Sequence, residues 1–161
     1  FYVGVPGYEQ LQEGLAVLSE YMTGGLTNQR MRILAARVVA VHHMLAGNPF
    51  TDTFDLLVDK YNFKPETAFY ITMRVYRGGG LTKDAVYLKG LLNVIEYVKE
   101  GNDISQLLIG KIRQDYLPII QELLHRRLLK PSPLHPKYLE RPYVAKIEEI
   151  KKGGSVFKMI G

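Results

Sequence analysis

The chain contains no cysteine. Disulfides, thiolate metal sites and cysteine nucleophiles are therefore excluded within its 161 residues. A reducing cytoplasm is the simplest setting for such a chain, and a cytoplasmic location is expected. There is no apolar run approaching the roughly 18 residues that a membrane span needs, so no membrane is expected among its partners. The opening Phe1-Tyr2-Val3-Gly4-Val5-Pro6 lacks the basic and long apolar regions of a signal peptide. It also lacks an initiator methionine, which makes the expected chain a C-terminal piece of a larger protein. Charge of one sign is not concentrated either. The formal net charge of +5 is spread along the sequence, which permits an acidic partner without demanding nucleic acid. His125-Arg126-Arg127 and Lys151-Lys152 fall at predicted helix ends, where cations complement the dipole. A nucleic-acid binder would show a longer basic stripe with interleaved aromatics, so no nucleic-acid partner is expected.

What is present is ordinary globular material, 47% hydrophobic and 23% charged, long enough for one domain with its own core. Its periodicity is helical. Tyr8, Leu11, Leu15, Leu18 and Met22 make one stripe, and Gly24-Gly25 stops that helix. Thr27 suits the N-cap of the next helix, whose stripe is Met31, Leu34, Val38, Val41 and Leu45. A short helix is predicted from about Asp52 to Tyr61. Pro65 suits the first turn of a fourth, which is apolar most of the way round and so predicted to be central and buried. Gly78-Gly79-Gly80 breaks it. Thr82 then caps a fifth helix running to Glu100, with Asp84 in its first turn. Asp103 can cap a short helix, and another runs from Asp115 to Arg127 with Pro118 in its first turn. Pro131, Pro133, Pro136 and Pro142 predict an extended segment, followed by a helix from Tyr143 to Lys152. No strand pattern or internal repeat stands out. The expected fold is all-α, a single helical domain of about seven or eight helices. Residues 1–129 form its body, and residues 130–161 a Pro-rich extended segment, short helix and tail.

The segment Gln12-Glu13-Gly14-Leu15-Ala16 stands apart from this regularity. At about 100° per residue, Glu13 lies opposite the first apolar stripe and shares its side with Glu9, Ala16, Val17 and Glu20. A solvated acidic face is the plain reading. Against it, Ala16 and Val17 are apolar, and Gly14 in mid-helix costs about 1 kcal/mol relative to alanine. A glycine kept there points to close approach of something to the backbone. His42-His43 is no metal pair, because neighbours on a helix point about 100° apart. His42 borders the apolar stripe of its helix, and His43 is expected to face solvent.

Three stretches resemble the QEGLA-motif family, to which the microtubule-associated tyrosine carboxypeptidases belong. They are Tyr8 to Val17, Ala35-Ala36-Arg37-Val38-Val39-Ala40, and Met73 to Leu88, in the expected order. The resemblance covers about residues 6–139 and implies the C-terminal part of a zinc-metallopeptidase-like domain. In the family an upstream His-Glu-x-x-x-His helix supplies two imidazoles and a general base, and the QEGLA glutamate is the third zinc ligand. Here that residue is Glu13. Three protein ligands and one open position for water suit a catalytic zinc. The four histidines of this chain, His42, His43, His125 and His135, belong to no His-Glu motif. The expectation is zinc in the full-length parent and none in this fragment, with no catalytic residue here and no activity alone. The Glu13 face would then be uncovered, ready for the missing N-terminal part of the protein or for a second copy in a homodimer.

Arg77-Gly78-Gly79-Gly80-Leu81-Thr82-Lys83 is a glycine run feeding a helix N-terminus, a natural anion site. It is not a Walker A loop, whose G-x-x-x-x-G-K-[ST] order is absent. A flexible connection with an ordinary cap remains an alternative. A carboxypeptidase needs a fixed cation for the terminal carboxylate of its peptide or protein substrate. Arg77 is the first candidate by its capacity for bidentate pairing, followed by Lys83 and Tyr87. The rival to the enzyme reading is a non-catalytic helical interaction or regulatory module.

Overall fold

The computed structural model describes residues 4–78, 83–155 and 159, and no strand occurs among them. Seven α-helices follow one another: α1 (Glu9–Met22), α2 (Asn28–Leu45), α3 (Phe50–Asp55), α4 (Pro65–Arg77), α5 (Lys83–Lys99), α6 (Leu117–His125) and α7 (Val144–Lys151). The chain is all-α, as its periodicity predicts. It divides into two compact units, one formed by Thr27–Leu88 and the other by Phe1–Leu26 with Lys89–Gly161. No helix among the described residues is long and apolar enough to cross a membrane.

In the Thr27–Leu88 unit, α2 begins where its cap predicts. The Thr27 hydroxyl accepts from the Arg30 N–H at 3.1 Å, satisfying one of the orphan donors of the first turn. Pro65 opens α4. Between them α3 continues into a π-helical turn, Leu56–Lys60. The core gathers Ala36, Ala40 and Val41 of α2, Leu57, and Ala68, Ile71 and Val75 of α4. Three of these seven are alanines, which lets α2 and α4 lie close along each other. Two expectations are corrected. The α2 stripe turns toward Ala36 and Ala40, leaving Leu45 at 63% exposure. And α4 is buried on one face, with Phe69 and Tyr70 exposed. Its apolar count misleads because Phe69 spreads edge-on against Phe50 at the surface, ring centroids 5.7 Å apart. Meanwhile a polar residue, Thr72, is buried and satisfied by the Ala68 carbonyl at 2.9 Å.

The histidine assignment is also reversed. His42 is exposed, whereas His43 is half-buried with Nδ1 2.7 Å from the Thr53 hydroxyl. Thr53 is fully buried and lies 2.7 Å from the Tyr76 hydroxyl, which donates to the Asn48 carbonyl at 2.6 Å. With that last donor direction fixed, Thr53 donates to Tyr76 and His43 donates through Nδ1–H to Thr53. One relay of protons thus ties α2, α3 and α4 together. Thr53→Val keeps the volume and strands both partners, so it is expected to cost about 1–3 kcal/mol in urea unfolding. An unchanged midpoint would show that the relay contributes nothing.

In the other unit, the buried stripe of α1 comprises Leu11, Leu15, Leu18 and Met22, and Val17 is buried beside it. Helix α7 packs on α1, where the Lys146 ammonium donates to the Tyr21 carbonyl at 2.7 Å. Burial, and then the neighbouring Glu149 carboxylate, raise the Tyr21 pKa. The short helix capped by Asp103 is a 3₁₀ segment, Ile104–Leu108, with the carboxylate accepting from the Ser105 N–H at 2.9 Å. The Ser105 hydroxyl and N–H hold the Asp103 carboxyl below the usual range. Pro118 sits in the first turn of α6, and the Pro-rich stretch contains a single 3₁₀ turn, Lys137–Leu139.

Candidate functional site

Glu13 is placed by a close helix crossing. A Cβ added at Gly14 would lie 2.3 Å from the Gly90 carbonyl carbon, and one added at Gly90 would lie 2.0 Å from the Gln10 carbonyl oxygen. Both distances are below van der Waals contact, so two side-chain-free positions let the backbones of α1 and α5 touch. The close approach that Gly14 signals in the sequence is therefore the α5 backbone. Around α1, Gly14 and Val17 on one flank of Glu13 are buried, while Glu9 and Ala16 on the other are exposed. Glu13 itself is half-buried between them. The face expected to be bare is thus partly covered, because the buried arc of α1 extends from the leucine stripe round to Val17. Ala16 and Gln12 line a shallow groove of about 370 Å³ together with Gly110 and Tyr138.

A zinc ion needs more than this carboxylate. Among the described residues no three His, Cys, Asp or Glu side chains come together as a metal site. A lone glutamate does not meet the three-ligand requirement. The chain's own residues therefore do not fit a complete zinc centre.

In the Thr27–Leu88 unit the geometry is cationic. Arg37 of α2 with Arg74 and Arg77 of α4 lines a groove of about 390 Å³, whose wall also includes Ile33, Thr67 and Tyr70. Asp84, in the first turn of α5, is only 7% exposed. Its Oδ1 accepts from Arg74 Nε at 2.5 Å and lies 3.8 Å from Arg37 Nη1. The Arg37 side chain is 17% exposed, and its Nε has no hydrogen-bond partner among the described residues. Burial first, then the Arg74 and Arg30 charges, push the Arg37 pKa down against the opposing pull of Asp84. The Arg37 guanidinium also stands over the Tyr87 ring, 5.8 Å from its centroid, within cation–π range.

Of the residues singled out as substrate-binding, Arg77 is exposed and lines the groove. Tyr87 is half-buried and reaches the same arginines through Arg37. Lys83 is exposed at the start of α5 and does not line the groove. The glycine run after Gly78 and the Thr82 cap lie outside the described residues. Sequence reasoning passed over Arg37, Arg74 and the ion-pairing role of Asp84. A signal for Arg37 was there: it is one guanidinium inside the otherwise apolar Ala35-Ala36-Arg37-Val38-Val39-Ala40, and buried charges are paired.

Residues 1–152 match the sequence pattern of the microtubule-associated tyrosine carboxypeptidases. The chain belongs to that family, and is thereby related to carboxypeptidases. No curated protein and no solved structure matches it significantly.

Proposed function

We propose that this chain provides part of a zinc-dependent metallocarboxypeptidase site, acting on a peptide or protein C-terminus in the cytoplasm. Glu13 is one of three protein ligands, the others coming from a His-Glu-x-x-x-His helix that this sequence does not contain. Arg77 pairs with the terminal carboxylate of the substrate, with Lys83 and Tyr87 beside it. The chain alone binds no zinc and is silent. The observation that carries this reading is family membership across residues 1–152, together with the close α1–α5 crossing beside Glu13.

Zinc bound at such a site would polarise the scissile carbonyl and lower the pKa of its water. The role of this chain is more limited. The α1–α5 contact sets the height and rotation of the helix that carries Glu13, and Arg77 offers positive charge.

Elemental analysis tests the assignment on three proteins: this chain, a longer chain carrying His-Glu-x-x-x-His upstream, and that longer chain with Glu13→Ala. About one zinc per molecule is expected in the second alone. A metal-free longer chain, or a Glu13→Ala form that keeps its zinc, defeats the assignment and favours a non-catalytic helical module.

A further inference from the structure

We propose that residues 123–139, from the end of α6 into the Pro-rich stretch, form a docking surface for an anionic lipid membrane. The two most exposed large apolar side chains among the described residues are Leu128 and Leu134, at 70% and 78%. Both fall between Glu122 and Glu140, an interval without a carboxylate. The same interval carries Arg126, Arg127, Lys130 and Lys137. Arg126 is held by Glu122 at 2.6 Å. Arg127, Lys130 and Lys137 are exposed and make no ion pair among the described residues. Such cations interleaved with bare leucines suit a surface of acidic headgroups over hydrocarbon.

Local structure holds both leucines outward. Helix α6 ends in a Schellman motif, in which the Leu128 N–H donates to the Leu123 carbonyl at 2.9 Å and the Arg127 N–H to the Leu124 carbonyl at 3.0 Å. Two features of this motif are unusual. Its left-handed position, normally glycine, is Arg127 at φ 59°. Its last apolar residue normally packs back on the helix, yet Leu128 is left in solvent. Neither feature helps the helix end, so both point to something outside the chain. Around Leu134, Pro131, Pro133 and Pro136 restrict the backbone, and the Ser132 hydroxyl donates to the Leu134 carbonyl at 2.8 Å. At most about 20 Å of chain separates the two leucines, so one membrane patch reaches both. A protein partner would need a pocket matched to each, whereas a lipid surface accepts them wherever they meet it. The lack of a long apolar run excludes a span, and attachment of this kind needs none.

This inference needs neither zinc nor Glu13, so it and the carboxypeptidase reading stand or fall separately. The test is co-sedimentation of the chain with vesicles of phosphatidylcholine alone and of an equimolar mixture of phosphatidylcholine and phosphatidylserine. Binding is expected to the mixed vesicles and should fall as salt is raised. Leu128→Ser/Leu134→Ser is expected to weaken it by at least about tenfold. Lys130→Gln/Lys137→Gln should weaken it about twentyfold, at roughly fivefold per cation. Leu45→Ser removes a leucine 63% exposed in the Thr27–Leu88 unit and should change it by less than about twofold. Arg127→Gly separates binding from folding. It should raise the urea midpoint, since glycine suits the left-handed position, while weakening vesicle binding about fivefold. The proposal is overturned if the mixed vesicles do not sediment the chain, if phosphatidylcholine alone does so equally well, or if the double leucine variant binds like the parent. The last result would assign the cations to an acidic macromolecule instead.

Discussion

Gly14→Ala is expected to destabilise the unit containing α1 by about 3 kcal/mol. On propensity alone the change should help, since alanine is favoured over glycine in a helix interior by about 1 kcal/mol. Packing decides the sign. The new methyl carbon would sit 2.3 Å from a backbone carbonyl carbon of α5, and neither partner is the free end of a flexible side chain. The helices must separate, opening voids around Val17 and Leu18, both fully buried. Gly90→Ala is expected to act similarly, since its methyl would fall 2.0 Å from the Gln10 carbonyl oxygen. The double variant should cost less than the sum, because the first substitution already prises the crossing apart. Gly25→Ala, whose Cβ meets nothing closer than 3.5 Å, serves as control and should stay within about 0.5 kcal/mol. Urea unfolding measures all four. A Gly14→Ala protein as stable as the parent would mean that the helices do not cross this way.

The second large effect is expected for Asp84→Asn, about 2 kcal/mol of lost stability. The substitution keeps the shape and removes the charge. Arg74 then loses an ionised acceptor at 2.5 Å. Arg37, mostly out of water, loses the carboxylate that opposes its burial and the neighbouring Arg74 and Arg30 charges. The first turn of α5 also loses a favourable charge–dipole contact. Where the penalty is electrostatic, added salt should recover part of it. A melting temperature unchanged by Asp84→Asn would show the ion pairs to be energetically idle.

The helices were legible in the sequence wherever a local device sets them. Thr27 and Pro65 mark the starts of α2 and α4, and the leucine spacing of α1 marks its buried stripe. These signals act over three or four residues, so no tertiary knowledge is needed. What stayed hidden depends on partners distant in sequence. Gly14 announced a close approach but could not name Gly90. His43 looked solvent-facing because its partner, Thr53, belongs to another helix. Asp84 read as a helix-dipole residue until α2 and α4 brought Arg37 and Arg74 to it. Phe69 counted as core because hydropathy does not say which side of a helix has a neighbour. In the candidate site, Glu13 came from family likeness and Arg77 from the need of a carboxypeptidase for a fixed cation, while the arginine groove came from geometry.

The contact between Gly14 and Gly90 makes the position of Glu13 a property of two helices. A carboxylate on a lone surface helix can drift by a rotamer or by a fraction of a turn. Here a roll or slide of α1 would drive backbone into backbone, so α1 moves only by carrying α5 along. Anyone seeking to retune the reach of Glu13, by directed evolution or by design, would find few useful changes beside it. The adjusting screw is at residue 90, in the helix that crosses α1.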